Sequence, residues 1–416
     1  MPKLSGPIPV EYRISIADKR KTLATRKRRF DSLSLFLSVA KLHDNCSTGC
    51  AEDAMAEVFA EETPTGSALS QMRELISCTF FRDTFQQSAK AFCNKLRPAW
   101  KGFYISAVDG DQYGLPRNTD TVGAGYRGQS CGLNLETYGL KMYLALGCDV
   151  ITGVPLAIVP SQTANELTCG INVTREIYNT QGIYGRDKSL ASNQLFLYDR
   201  LYLCRDLLDT HRELGTSFIV RCKKGGTFLE VVSFWNSTDS ETICEIGGHK
   251  VRLVKVTRND EVFVYATNVM SEKLTSEEVD WLYFRRWEIE TTNAHGAKTL
   301  VLEVFHTRKA NGILQEIFAG FWSLLVSKCA CGDFKKQKEE FGGKMYHRSN
   351  LKRVRNVVMR NIKQIFSRLT KKLCEAIIEI VESTTRKRER LSRSAPRMRR
   401  YKRLKKYETA KPVAKI

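Results

Sequence analysis

Apolar residues recur at helical spacing at both ends of this chain. Residues 30–42 and 67–93 show three- and four-residue intervals, with a break at 64–66 between them. Residues 311–330 are strongly apolar, which predicts a core helix, and the basic amphipathic stretch 351–382 predicts one long helix or a pair. Helical regions are therefore expected at both ends of the chain, on either side of a central region with another pattern.

The middle of the chain alternates short apolar runs with helical patterns. Strands are predicted at 103–108, 138–149, 154–159, 195–198 and 218–221, and helices at 165–178 and 203–214. The order of hairpin, helix, strand, helix and strand predicts a mixed α/β sheet. Between residues 225 and 268, short apolar runs broken by polar and glycine pairs predict an antiparallel β-insertion, which we place at about 224–270.

Charge is concentrated at the end of the chain. The formal net charge is +21, and residues 335–416 hold 27 Lys and Arg against 7 Asp and Glu. A basic end on a nearly neutral body indicates a polyanion partner, most simply nucleic acid, and it lacks the bulky apolar face of a membrane-bound helix. We expect residues 386–406, which hold twelve basic residues, to be disordered until they meet a polyanion.

The length of the chain indicates several domains, and its cysteines indicate the cellular compartment. A chain of 416 residues exceeds one core, and we divide it into a helical N-terminal region (1–98, with basic clusters suited to DNA binding), a central domain (99–330) and a basic helical C-terminal region (331–416). We find no signal peptide and no apolar run near the roughly 18 residues of a membrane span. The thirteen cysteines lack zinc-finger spacing, so we expect free thiols in a cytoplasmic, nucleoid-associated protein with no membrane partner.

Three carboxylates are candidates for a shared metal site. Asp109 and Asp199 follow apolar strands, and Glu290 lies in a helical stretch after the β-insertion. Carboxylates that meet at one edge of a sheet repel each other unless a cation lies among them. Two Mg²⁺ ions, for which Mn²⁺ can substitute, could then activate a water or a 3′-hydroxyl for phosphodiester displacement. The plainer interpretation is that Asp109 belongs to a turn and Asp199 to a cap or ion pair.

The stretch 283–298 carries further candidate chemistry. Tyr283, Arg286 and Glu290 are spaced i, i+3 and i+7, so they share one face of a helix. Arg286 can bind a phosphate through two parallel hydrogen bonds, and Glu290 can offer oxygen to a divalent cation. An Arg–Glu pair on a solvated helix is the alternative.

The order of these features resembles the DDE transposases of prokaryotic insertion sequences, in the branch marked by a Tyr-x-x-Arg-x-x-x-Glu-x(6)-Lys signature. The resemblance runs over about residues 73–321 and is most specific at VDG (108–110), LYDRLYL (197–203), FIVRCK (218–223) and LYFRRWEIE (282–290). It implies an RNase H-like core in which Asp109, Asp199 and Glu290 bind metal and catalyse. It also implies DNA contacts by Tyr283 and Arg286, to which we add Arg200 and Lys298, and a homodimer acting on paired double-stranded DNA ends and a target.

Two departures from that pattern keep other functions open. The signature requires a lysine seven residues after Glu290, but that position is Ala297, and Lys298 follows one place later. A helix that ends or loosens at Gly296 would let the Lys298 side chain reach the face of the helix that carries Glu290. Leu201 stands where a glycine commonly follows Asp-Arg. An inactive relative that only binds DNA, and an RNase H-like nuclease without strand transfer, are the alternatives. Glu166 is interpreted as a first-turn charge and Trp235 as a packing residue.

Overall fold

One mixed sheet dominates the computed structural model, which describes residues 32–42, 55, 58–59, 64–131, 135–163, 165–180, 192–298, 304–343, 345–367 and 371–389. Within these residues, nine strands form the sheet: β1 Tyr104–Leu115, β2 Arg127–Cys131, β3 Leu135–Asp149, β4 Pro155–Ser161, β5 Gln194–Tyr198, β6 Ser217–Arg221, β7 Glu241–Ile246, β8 His249–Arg258 and β9 Glu261–Thr267. Their order is β2-β3-β1-β5-β6-β9-β8-β7, and β4 also pairs with β3.

Strand direction makes this sheet RNase H-like, as predicted. A long hairpin of β1 and β3 is antiparallel, and β5 and β6 then follow parallel to β1. The crossover between parallel strands needs a helix on the sheet face, and the structure supplies one after β4 and one after β5. The predicted mixed α/β class with flanking helices is therefore confirmed.

Helices flank the sheet on the N-terminal side, between strands and on the C-terminal side. In chain order, the described helices are α1 Ser32–Lys41, α2 Gly66–Leu75, α3 Cys78–Lys95, α4 Thr119–Gly123, α5 Glu166–Thr180, α6 Arg205–Leu214, α7 Leu229–Asn236, α8 Ser276–Arg285, α9 Trp287–Lys298, α10 Ala310–Ala330, α11 Phe334–Glu340, α12 Leu351–Arg360, α13 Ile362–Ser367 and α14 Lys371–Thr384.

The β-insertion is continuous with the main sheet. Its last strand, β9, pairs antiparallel with β6, and β8 and β7 extend the sheet from there. The first part of the segment differs from the prediction, because Val231 and Phe234 are buried on the helix α7 rather than on a strand. Trp235 lies on the same helix and packs against the core, in agreement with its interpretation as a packing residue.

A break at Ile76–Ser77 divides the predicted helix 67–93 into α2 and α3. Ser77 caps the start of α3, and the side chains of Asn311 and Gln315 donate to the carbonyl oxygens of Arg73 and Ile76. These amides lie on α10, more than 230 residues away along the chain. Tertiary contacts therefore satisfy the backbone groups that the break exposes.

The predicted core helix 311–330 is α10. Among the described helices it is the one that is long and apolar enough to cross a membrane, and 83% of its apolar window is buried inside the protein. The described cysteines are free thiols, as expected.

The C-terminal region departs from its prediction in two places. The stretch 351–382 is divided among the three helices α12, α13 and α14. Residues Arg386–Glu389, expected to be disordered, form a strand, β11, that pairs antiparallel with β10, Met345–Arg348. The rest of the basic tail, residues 390–416, lies outside the described residues. The division at residues 98 and 330 stays a prediction.

Candidate active site

The register of two parallel strands runs toward Asp109 and Asp199. The register of β1 and β5 pairs Tyr104 with Gln194 and continues to Ala107 with Leu197. Continued for two residues past the last recorded pair, the same offset leads to Asp109 on β1 and to Asp199, which directly follows β5. The 90-residue separation of the two aspartates is thus the offset of the strand pair. Adjacent parallel strands lie about 5 Å apart, so both acidic residues reach one place at the edge of the sheet.

Asp109 lies inside its strand and not at its end, which corrects the sequence prediction. β1 continues to Leu115 because β3 pairs with it over its whole second half. Its pairing with β5 nevertheless stops at Ala107. β5 itself ends at Tyr198, so Asp199 directly follows that strand while Asp109 is still within β1.

The third carboxylate arrives on α9, which follows α8 after a tight turn at Arg286. Arg286 keeps right-handed helical dihedral angles, so its side chain still faces that of Glu290, one helical turn further on. Its Nη2 donates to Glu290 Oε1 at 3.2 Å. The Tyr283 hydroxyl donates to Asp199 Oδ1 at 3.2 Å, which links the end of α8 to the end of β5.

Burial distinguishes the Arg286–Glu290 pair from an ordinary surface ion pair. The Arg286 side chain is 8% exposed and that of Glu290 is 27% exposed. Burial alone lowers the pKa of the Arg286 guanidinium, but Tyr283 and the three carboxylates outweigh burial and raise it. Arg286 therefore carries a fixed positive charge that acts on Asp109, Asp199 and Glu290 together. The alternative of a solvated helix surface does not describe this environment.

The acidity of Asp109 is strongly perturbed. Burial raises its pKa to about 7, against the lowering effect of Arg286 and of a hydrogen bond from the Gly110 backbone. Glu290 and Glu166 raise it further by repulsion. Burial destabilises the charged form of such a carboxylate, and a cation that comes close stabilises that charged form.

Glu166 belongs to the electrostatics of the site, although its sequence position suggested only a helix-end charge. Burial and the neighbouring Asp199 raise its pKa, while Arg286 and Lys223 lower it. The first turn of α5 therefore ends near the same edge of the sheet as β1 and β5. The sequence did hold a signal for this role of Glu166, because the residue stands directly after the hairpin, where the crossover helix begins.

Two tyrosines line the sheet beside Asp109. The buried Tyr143 and Tyr202 hydroxyls interact with each other, and neither makes a hydrogen bond of good geometry within the described residues. A Cβ on Gly110 would lie 1.8 Å from the Tyr143 hydroxyl oxygen. The glycine of the VDG segment is thus required because the tyrosine ring end occupies the space of any side chain.

Comparison with known families agrees with this geometry. The family described as "Transposase DDE domain" matches residues 100–326, which is more than half of the chain. The chain belongs to the DDE transposase family. No curated protein matches it. Among solved structures it is similar to a piggyBac transposase synaptic complex with hairpin DNA studied by cryo-EM, with a TM-score of 0.43 and 12% identity over 91% of this chain and 82% of that one.

The other two predicted DNA contacts of this DDE transposase are less defined. Arg200 is exposed directly after Asp199, and Leu201 beside it is 44% exposed. α9 continues through Gly296 to Lys298, so the helix does not end at Gly296. Eight residues after Glu290, an unbroken helix places position 298 about 80° away from the Glu290 face. The side chain of Lys298 lies outside the described ones.

The residues present fit a divalent cation by their chemistry. Carboxylate oxygens are the ligands that Mg²⁺ takes, and the Arg286 charge and the Gly110 backbone hydrogen bond do not offset the effect of burial on the Asp109 carboxylate. Within the part of the chain that the structure describes, no three His, Cys, Asp or Glu side chains are already drawn together as a metal site. Arg286 is the positive charge that the carboxylates share.

Proposed function

We propose that this protein is the transposase of a prokaryotic insertion sequence, which cuts DNA at the element ends and joins the freed 3′-hydroxyl to target DNA. The observation that carries the proposal is the gathering of three carboxylates around Arg286, whose charge acts on Asp109, Asp199 and Glu290 together. Tyr283 donates to Asp199 and Arg286 donates to Glu290, which links the end of β5 to the helix that bears Glu290. Membership of the DDE transposase family makes phosphodiester chemistry the natural use of these carboxylates.

In this proposal Asp109, Asp199 and Glu290 hold two Mg²⁺ ions, and Mn²⁺ substitutes for them. Bound there, the cations would supply activation of a water or a 3′-hydroxyl and stabilisation of the leaving oxygen. In this proposal the chain itself aligns the carboxylates, because Asp109 is carried by β1, Asp199 follows β5, and the α8–α9 turn directs Glu290 toward Arg286. Tyr283 holds the Asp199 carboxylate by a hydrogen bond.

Arg286 has two successive partners in the proposed reaction. Without DNA its guanidinium balances the carboxylates by charge and donates to Glu290. Its Nε is buried and has no hydrogen-bond partner within the described residues, so a donor remains for a phosphate oxygen. A phosphate near the cut bond can take both donors of the fork, which positions the DNA beside Asp109. Arg200 and Lys298 are further proposed phosphate contacts.

The proposed substrate is double-stranded DNA at paired element ends and at the target, bound by a homodimer in the cytoplasm at the nucleoid. The basic C-terminal region supplies the long-range attraction. Because residues 386–389 form a strand, a truncation should begin at residue 390. We expect deletion of 390–416 to weaken binding to terminal DNA and to reduce the slope of log affinity against log salt, since fewer phosphates are neutralised. An unchanged slope in a fluorescence-anisotropy titration would contradict this role.

The catalytic assignment is tested with conservative variants on DNA that carries the inverted ends of the element. We expect Asp109→Asn, Asp199→Asn and Glu290→Gln each to reduce Mg²⁺-dependent cleavage by about 10³-fold or more, because each removes a ligand charge. Asp206→Asn, an exposed carboxylate in the first turn of α6, is the matched control and should cleave normally. Undiminished cleavage by the Asp109 or Glu290 variant would show the assignment to be wrong.

The same assay separates the alternatives that the shifted lysine leaves open. Cleavage followed by joining of the 3′-hydroxyl to a target supports a transposase. Cleavage without joining indicates an RNase H-like nuclease, and binding without cleavage indicates an inactive relative.

A further inference from the structure

The face of α9 that points away from the proposed metal site is anchored by polar contacts. Glu288 and Thr292 are one turn apart on this helix, and Glu290 lies about 180° from their midpoint at about 100° per residue. Thr292 is fully buried, and its hydroxyl donates to the Gly153 carbonyl oxygen at 3.1 Å. Any rotation of α9 that turns Glu290 away from Asp109 must therefore break contacts on the opposite face.

The anchor on that face is a buried amine. Lys328, on α10, is 7% exposed; its Nζ donates to the Thr292 hydroxyl oxygen at 3.3 Å and lies 3.7 Å from Glu288 Oε1. Burial lowers the pKa of the Lys328 amine, while Glu288 raises it and Arg348 lowers it further. A buried lysine that pairs with one carboxylate and one hydroxyl holds both partners in place. If either partner moved away, the buried amine would lose that interaction, which is costly.

The turn at Gly153, which accepts these contacts, is fixed by further hydrogen bonds to the core. Gly153, between β3 and β4, has a φ of +68°, and a Cβ there would lie 2.2 Å from Lys328 Nζ and 2.6 Å from Glu288 Oε1. Its backbone N–H donates to the Asp149 carbonyl oxygen at 2.7 Å. The Asp149 carboxylate accepts from Arg97 Nε at 2.7 Å, with both side chains fully buried. The reference point for α9 is thus a turn fixed to the core.

We propose that Lys328 is a positioning residue for the reaction. Through Thr292, Glu288 and the Gly153 turn it sets the rotation of α9, and so directs Glu290 and Arg286 toward Asp109 and Asp199. Lys328 does not contact the reacting atoms. The inference rests on the proposed function, because it concerns how the proposed metal-binding carboxylates are aligned.

The test measures metal affinity directly. In calorimetric titration of the full chain with Mn²⁺ in the absence of DNA, we expect Lys328→Met to weaken binding by about 10-fold or more, as loss of a group that orients metal ligands does. The matched control is Val354→Ala, a fully buried site on α12 that loses packing without touching α9. Both variants are compared well below their melting temperatures. Equal losses of affinity in the two would overturn the proposal, because the effect would then be general loosening.

The route through Thr292 is tested with an isosteric pair. Thr292→Val removes the hydroxyl and should weaken Mn²⁺ binding, whereas Thr292→Ser keeps the hydroxyl and should restore it. The double variant Lys328→Met/Thr292→Val should be little weaker than Lys328→Met alone, because residues of one network are not additive. Full additivity, or Mn²⁺ affinity unchanged in Lys328→Met, would overturn the inference.

These outcomes are separable from failure of the proposed function. If Asp109→Asn and Glu290→Gln bind Mn²⁺ as well as the unmodified chain does, the metal site itself is wrong and Lys328 has nothing to align. If those two variants lose Mn²⁺ and Lys328→Met does not, only the positioning role fails.

Discussion

Two buried arginines with carboxylate partners show how one kind of residue serves structure in one place and chemistry in another. Arg73, on α2, donates from Nη2 to Glu316 Oε1 at 2.7 Å and to the Gly312 carbonyl oxygen at 2.8 Å, and from Nε to Gln315 at 3.2 Å. Arg286 donates to Glu290 at 3.2 Å, and its buried Nε has no partner within the described residues.

The difference lies in how fully each group is satisfied. Glu316 is completely buried, and it also accepts from the backbone N–H of His306. That network leaves little for a ligand, and it fixes α2 to α10. Around Arg286, three carboxylates share one guanidinium, and one of them, Asp109, has its pKa raised to about 7 by burial. Incomplete satisfaction is tolerated at functional sites and compensated elsewhere in the fold.

The largest effect should come from breaking the satisfied network. We expect Arg73→Met to lower the free energy of unfolding by about 3 to 5 kcal/mol, because it leaves Glu316 buried and unpaired. Arg286→Met should lower it by less, because Asp109, Asp199 and Glu290 are only half-buried, whereas Glu316 is fully buried, and a half-buried carboxylate can take up a proton when its cation is removed. Urea denaturation in EDTA measures both. Arg73→Met/Glu316→Gln should recover part of the loss, and equal losses for the two single variants would contradict the comparison.

A second test uses pH, and its sign follows from the raised pKa of Asp109. Burial raises that pKa from 3.8 to about 7, so between these values the folded protein binds a proton that the unfolded chain releases. The stability contributed by this group is therefore present below about pH 4 and is lost as pH rises toward 7.

Asp109→Asn should remove this dependence in the metal-free protein. We expect the variant to be more stable than the unmodified chain at pH 8, by on the order of 1 to 3 kcal/mol, and the gain to vanish near pH 4. Thermal unfolding in EDTA across this range measures it, with Asp206→Asn as the control. A gain that is the same at pH 4 and pH 8 would show that the charge of Asp109 is not its source.

The smallest effect concerns single hydroxyls. Tyr143→Phe, beside Asp109, should change the free energy of unfolding by less than about 1 kcal/mol or even increase it, because among the described residues the buried hydroxyl makes only a contact of poor geometry with the Tyr202 hydroxyl. The matched control is Tyr265→Phe, whose buried hydroxyl donates to Asp280 at 2.6 Å. We expect this control to lose about 1 to 3 kcal/mol. A larger loss for Tyr143 than for Tyr265 would indicate a hydrogen bond at the site.

Much of the fold could be predicted from local pattern. The strands at 195–198 and 218–221, the crossover helices and the core helix all have a strong apolar period, and each forms close to its predicted bounds. Elements that depend on distant partners were predicted less well. α7 was expected to be a strand, and β11 was expected to be disordered, because its pairing with β10 joins residues 38 to 44 apart and leaves no periodic trace.

By itself, the sequence determined that Asp199 directly follows an apolar strand and that an arginine and a glutamate share one helical face. Those are properties of short segments, where side-chain period reports burial directly. Only the tertiary structure decided that Asp109 lies inside β1, that Glu166 faces Asp199, and that Arg286 is buried among the carboxylates. Strand register and helix packing set these relations between residues that are far apart along the chain, and a hydrophobic pattern carries no information about which distant charges meet.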